Sequence, residues 1–192
     1  MGTSKQRLPL YLTASRGALV VVLAVAFSTN SSVGYYVSLS AFLAAILTDI
    51  LDGYLARRWC VASDFGLFLD AVADKLLVIV SIASLLMVGV VAYYCAIAFL
   101  MREVLADAIR NYAAGRGRTV PHDSYGRLQM LFTVLAVSYS LLALAQAGIP
   151  SEKPVTEANV LLGVGIGFGL LSVRAAWPSF VGSVADAAKR SQ

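Results

Sequence analysis

The sequence predicts an all-α integral membrane protein, six transmembrane helices preceded by a short N-terminal interfacial helix, and three observations predict it. Of the 192 residues, 59% are hydrophobic and 14% charged, which is too apolar for an ordinary soluble domain. The apolar residues fall into about six runs, each near the roughly 20 residues that a helix needs to cross a bilayer. Many of the charges collect in the connections between runs, and four carboxylates stand at the junction of the second and third runs. No stretch is left for a separate soluble domain, so residues 1–192 read as a single membrane domain.

Thr3 to Leu10 is a mixed segment containing Pro9, read as an interfacial helix lying on the membrane. The first span runs from about Tyr11 to Phe27, with Arg16 near its start, and an uncharged loop, Ser28 to Gly34, follows. For Arg16 the sequence leaves two readings, a guanidinium snorkelling to lipid headgroups and a substrate contact. The second span begins near Tyr35 and ends in the acidic stretch, closed by Arg57 and Arg58. The connector Trp59 to Asp64 is short, so the second and third helices are predicted to be antiparallel neighbours. The third span, Phe65 to about Val88, ends with Gly89 as its turn signal. The fourth, about Val91 to Ala114, becomes amphipathic in its second half, where Arg102, Glu103, Asp107 and Arg110 recur at helical spacing. The loop Gly115 to Ser124 is rich in glycine and basic residues. A fifth span covers Tyr125 to Ala147 and a sixth Glu157 to Ala176, whose Gly163, Gly165, Gly167 and Gly169 permit close helix packing. A polar tail with Lys189 and Arg190 completes the chain.

Loop charges predict orientation. Lys5 and Arg7, Arg57 and Arg58, Arg116 and Arg118, and Lys189 and Arg190 fall on one side, against Lys153 on the other. The expectation is a multi-pass protein of the cell (inner, cytoplasmic) membrane with both termini and the acidic stretch facing the cytoplasm. The net charge of +4 points to anionic lipids or substrates, with no nucleic acid as partner. Cys60 and Cys95 lack metal-ligand spacing and read as small structural residues, and His122, in a polar loop, as solvated.

The chemistry is concentrated in Asp49 to Lys75. Carboxylates among apolar helices are costly, about 2.5–3.5 kcal/mol each on insertion scales, and so mark a functional site. Asp49 and Asp52 are three apart and share a helix face, while Gly66, Asp70 and Asp74 repeat every four residues along the next helix. Antiparallel pairing brings the two acidic faces together. Carboxylate oxygens suit Mg2+ or Mn2+, and two such ions are the usual clamp on the attacking and leaving oxygens in phosphoryl transfer. Gly53 and Ala56 permit close approach of a ligand, and Arg57, one turn beyond Gly53, suits a phosphate or pyrophosphate. The plainer reading, acids neutralised by Lys75, Arg57 and Arg58, accounts for one or two carboxylates more readily than for four.

The pattern D-x2-D-G-x2-A-R-x8-G-x3-D-x3-D is matched at every defined position by Asp49, Asp52, Gly53, Ala56, Arg57, Gly66, Asp70 and Asp74. It resembles the signature of the CDP-alcohol phosphotransferases. The resemblance implies a six-helix membrane enzyme, usually a homodimer, that transfers a phosphatidyl group from CDP-diacylglycerol to an alcohol with release of CMP. It implies a site for two ions, Mg2+ or Mn2+, at Asp49, Asp52, Asp70 and Asp74, with Asp74 also the catalytic base. It further implies that Asp52, Gly53, Ala56, Arg57 and Gly66 contact the CDP part.

Outside the motif, LPLYLTASRGALVVVL near the N-terminus and REVLADAIRNYAAGRG in the fourth helix are similar to the phosphatidylglycerophosphate synthases of that family. This implies glycerol 3-phosphate as acceptor, its phosphate held by Arg102, Arg110 and Arg127. An Arg102–Glu103 ion pair is the plainer reading of the first of these. Where those synthases often carry a glycine followed by two lysines one residue apart, this chain has Gly126, Arg127, Leu128 and Gln129, which keeps one basic position. Other acceptors stay open: phosphatidylglycerol for cardiolipin synthesis, inositol phosphate, or serine. Two rival classes are intramembrane prenyltransferases, which usually carry two separated acidic motifs, and cation channels or transporters, which need acids along a through-path.

Overall fold

The computed structural model describes residues 3–59, 64–116, 124–147 and 156–190, with side chains described for 15–51, 72–116, 124–147, 156–182 and 184. It is all helical: α1 (Thr3–Ser28), α2 (Ser32–Trp59), α3 (Asp64–Met87), α4 (Tyr93–Ala114), α5 (Ser124–Ala147) and α6 (Thr156–Arg190). Among the described residues, Ser32–Leu51, Ser124–Ala147 and Thr156–Gly182 are long and apolar enough to cross a membrane, and Ser15–Ser28 is a shorter apolar stretch. Large apolar side chains stand on the outside of these helices, including Val33, Leu47, Leu131 and Leu170. That is the pattern of a surface solvated by lipid, where an exposed leucine loses nothing.

The helix ends follow from local chemistry. Ser31 caps α2, its Oγ accepting the backbone N–H of Gly34 at 3.1 Å. Asn30, in the left-handed region at φ 48°, turns the chain out of α1. Gly89, at φ 76°, ends α3. Its N–H bonds the Leu86 carbonyl and the N–H of Val90 bonds that of Leu85, both at 3.0 Å, the paired bonds of a Schellman stop. The N-cap of α4 is Ala92, which has no capping side chain of its own. Asn159 of α6 supplies the missing acceptor, its Oδ1 taking the Ala92 N–H at 2.8 Å.

Three expectations are corrected. No separate interfacial helix precedes the first span: α1 runs unbroken from Thr3. Pro9 costs a turn one hydrogen bond, but no glycine or Asx residue between Leu8 and Ser15 stops the helix. The sixth helix does not stop near Ala176 before a polar tail, because α6 continues through Pro178 to Arg190. Finally, the four glycines of α6 do not act alike, as the site geometry shows below.

The chain divides into two compact units, one holding α1, α2, α3 and the second half of α5, the other α4, the first half of α5 and α6. In the first unit α1, α2 and α3 pack on one another. The buried face of α1 is Arg16, Val20, Leu23 and Phe27, spaced by four, three and four residues. That of α2 includes Ser38, Phe42 and Ala45, and that of α3 Ala73, Leu77, Ser81 and Leu85. Phe27 and Tyr35 meet edge to face at 5.2 Å beside the α1–α2 turn. In the second unit α4 packs on α6 through Ala106, Ile109, Val173 and Ala176, with Phe180 against them.

Candidate functional site

In the first unit the described inner stripes of α1, α2 and α3 each lead to a charge. Continuing the α2 stripe by one turn from Ala45 gives Asp49, and working back from Leu77 along α3 gives Asp74. Asp49 lies ten residues before the end of α2 and Asp74 ten residues after the start of α3. At 1.5 Å per residue both sit about 15 Å from the connector, at one level. Arg16 occupies that level from α1. Its Nη2 is 3.1 Å from Asp49 Oδ1 and its Nη1 donates to Asp74 Oδ1 at 2.7 Å.

The guanidinium is completely buried, whereas the Asp49 and Asp74 side chains keep 22% and 36% of their exposure. Complete burial excludes snorkelling, one of the two readings the sequence left for Arg16, since no part of the side chain is exposed. A buried arginine persists only when carboxylates compensate the loss of hydration, and among the described contacts two do so, from two different helices. The partly open face belongs to the acids.

Asp52, Gly53, Ala56 and Arg57 lie in the last turns of α2, and Gly66 and Asp70 in the first turns of α3. Their side chains are outside the described residues. Among the described residues no three metal-ligating side chains come together. Asp49 and Asp74 are the two members of the acidic motif whose side chains are described, and one cation already joins them. Hard oxygen donors converging on a cation are the donor chemistry that Mg2+ and Mn2+ require.

The second unit contains the other sequence-selected residues. Arg102 lies on the inner stripe of α4, between Phe99 and Ala106, and is buried. Its Nη1 donates to Glu103 Oε1, so the ion pair read from the sequence is present. Glu103 Oε1 also accepts Gln129 Nε2 from α5 at 2.6 Å. The neutral residue at the departure from the expected basic pattern is thus a buried amide tied to the same carboxylate as Arg102.

Gly169 of α6 makes room for Arg102. A Cβ at Gly169 would collide with the arginine's Nε and lie 3.0 Å from its Cδ and Cζ. Four residues earlier, a Cβ at Gly165 would lie 3.3 Å from Phe132 Cβ of α5. Gly163 and Gly167 have nothing within 4 Å of an added Cβ. Close packing therefore uses one i, i+4 pair of glycines on the inner face, not four alternate ones.

The remaining arginines have other partners. Arg110, two turns after Arg102, is exposed and donates from Nη2 to Ser172 Oγ at 3.4 Å. Arg127, also exposed, donates to Ser124 at the start of its own helix at 3.2 Å. Arg16, which the sequence left between snorkelling and a substrate contact, is joined to the motif. Its signal was the 16, 20, 23, 27 spacing, which puts it on the buried face of α1.

Comparison with known proteins fits this arrangement. The sequence profile of the CDP-alcohol phosphatidyltransferase family matches residues 6–171. The chain belongs to that family. It is 32% identical over 180 residues to a protein of Arabidopsis thaliana named CDP-diacylglycerol--glycerol-3-phosphate 3-phosphatidyltransferase 2, covering 86% of this chain and 76% of the relative. A Rickettsia felis protein named CDP-diacylglycerol--glycerol-3-phosphate 3-phosphatidyltransferase is 31% identical over 144 residues, 75% of this chain and 80% of its own length. A rice protein named cardiolipin synthase (CMP-forming) is 33% identical over 181 residues, 86% of this chain and 55% of its own length.

Proposed function

We propose that this family member transfers the phosphatidyl group of CDP-diacylglycerol to glycerol 3-phosphate, giving phosphatidylglycerophosphate and CMP in phospholipid biosynthesis. One structural observation carries the chemistry: two acids of the family motif, from α2 and α3, stand at one level with an oxygen of each on the same guanidinium, that of Arg16. The names of the Arabidopsis and Rickettsia relatives support the acceptor. The family profile spans both compact units, which supports one catalytic domain over residues 1–192.

In this reading Asp49, Asp52, Asp70 and Asp74 hold two Mg2+ or Mn2+ ions, which when bound supply positive charge to stabilise the pyrophosphate. Asp74, the more open of the two described acids, accepts the proton of the acceptor hydroxyl. The acceptor oxygen bonds to the phosphorus on the lipid side of the pyrophosphate, the bond from that phosphorus to the bridging oxygen breaks, and CMP leaves with the electron pair. Asp52, Gly53, Ala56, Arg57 and Gly66 hold the CDP part, and Arg102, Arg110 and Arg127 the phosphate of the acceptor. The six helices all span the membrane, in a homodimer embedded among membrane lipids, with both termini and the acidic site at the cytoplasmic face.

The test is CMP release by purified protein given CDP-diacylglycerol, Mn2+ or Mg2+, and a panel of acceptors. Glycerol 3-phosphate gives a product; no CMP with any acceptor would refute the enzyme class. The match to the rice protein supports a second reading, phosphatidylglycerol as acceptor. Product from phosphatidylglycerol and none from glycerol 3-phosphate selects it.

A further inference from the structure

Arg16 is held too specifically to be a filler of the α1 interface. Among the described charged residues of its unit it alone is completely buried, and it reaches one carboxylate on each of two other helices through separate nitrogens. Asp49 and Asp74 are like charges on adjacent helices, an arrangement that a low-dielectric interior penalises strongly. A cation that offsets their repulsion is part of the chain. A divalent ion at the same acids meets a fixed positive charge already in contact with both.

We propose that Arg16 is a built-in counter-cation that shares the carboxylates of Asp49 and Asp74 with the divalent ions of the site. It holds α2 and α3 together before metal binds, and it weakens metal binding enough to keep the ions exchangeable. The inference rests on the metal reading above and adds a residue to it. Arg16 acts through the two aspartates and is a positioning residue rather than a catalytic one. Two effects oppose each other when it is removed. Loss of its hydrogen bonds loosens the orientation of the acids, which typically costs ten- to a hundred-fold in metal affinity. Loss of its charge removes a repulsion between a buried monocation and a dication only a few ångströms apart, about twice that between two unit charges at the same separation. The second effect is the larger, so removal tightens metal binding.

The experiment titrates Mn2+ into the purified full-length chain in detergent, reading bound ion by loss of the free-ion electron paramagnetic resonance signal and stability by thermal melting. Arg16→Met, which keeps the volume and removes the charge, is expected to melt lower than wild type in chelator. Its Mn2+ midpoint should fall by about tenfold or more, equivalent to about 1.4 kcal/mol. Its stabilisation by Mn2+ should exceed that of wild type. If Arg16→Met does not fold, Arg16→Gln carries the test. A glutamine removes the charge but keeps an N–H donor for one of the acids, so a midpoint lowered by about threefold is expected.

A residue that only packs the helices would lower the melting temperature and leave the Mn2+ midpoint where it is. That outcome, or a weaker midpoint, overturns the proposal while the metal site stands. If wild type and variants alike bind no Mn2+, the metal reading falls and the proposal with it.

Discussion

Two buried arginines, Arg16 on α1 and Arg102 on α4, each sit on the inner stripe of a helix, yet their charges are settled differently. Arg16 draws one carboxylate from each of two other helices, 33 and 58 residues away in sequence. Arg102 takes the carboxylate of the next residue, with an amide from α5 completing the cluster. The first set of contacts joins three helices, and its acids keep part of their exposure. In the second, Arg102 pairs with a carboxylate on its own helix, and Arg110 lies two turns further along α4. Among the described contacts, what separates two arginines of similar burial is where their acids come from: two other helices for Arg16, the next residue for Arg102.

The largest predicted effect falls on the first cluster. Asp74→Asn removes the proposed base and half of the pair held by Arg16 while keeping the shape of the side chain. General-base catalysis is typically worth 10²- to 10⁴-fold, so CMP release should fall by at least about 10²-fold. Binding of CDP-diacylglycerol, measured separately, should change far less. Near-normal turnover would remove Asp74 from the base role and leave it a partner of Arg16.

In the second cluster the corresponding changes act on stability and acceptor affinity. Glu103→Gln leaves Arg102 buried without its adjacent charge. Removing one partner of a buried pair costs about 3–5 kcal/mol, and since Glu103 retains 25% of its exposure a loss of about 1–3 kcal/mol is expected in detergent melts. Gly169→Ala forces Arg102 aside and should cost about 1–3 kcal/mol as overpacking. With Arg102 at the acceptor, it should also raise the KM for glycerol 3-phosphate more than the KM for CDP-diacylglycerol. Equal changes in both constants would separate Arg102 from the acceptor and leave it a structural pair.

Much of this was legible in the sequence, and the reasons for the exceptions are physical. Six helices could be read because their apolar runs are long and their stop signals local, as at Gly89, whose positive φ ends α3 where a turn was expected. The acidic motif could be read because carboxylates among apolar residues have few structural uses. Arg16 was harder to place. A lone arginine near the start of an apolar run is usually drawn to headgroups, and only the positions of Val20, Leu23 and Phe27 reveal that it faces inward. The role of Gln129 was not readable, because its partner Glu103 is 26 residues away on another helix and polar pairing across helices leaves no period in one sequence. The extent of α6 was missed because an apolar run marks only the part of a helix that crosses the membrane, whereas the chain stays helical through Pro178, which removes one hydrogen bond, to Arg190.

The smallest predicted effect separates the two faces of α6. Gly163 and Gly167 are exposed and open to an added methyl group, whereas Gly165 and Gly169, two positions on, press against α5 and Arg102. If only the inner pair is used for packing, Gly163→Ala and Gly167→Ala should each stabilise by about 0.5–1 kcal/mol, the usual gain when alanine replaces glycine within a helix. The measurement is the melting temperature of each variant beside Gly169→Ala, and opposite signs are expected. A loss at Gly163 and Gly167 would mean that the outer face is packed as well. Since a small-xxx-small pair is the common means of close approach between membrane helices, it would direct attention to that face as the contact with a second copy. The comparison of the two arginine clusters would then need a third surface, on which α6 holds Arg102 from one side and a partner helix from the other.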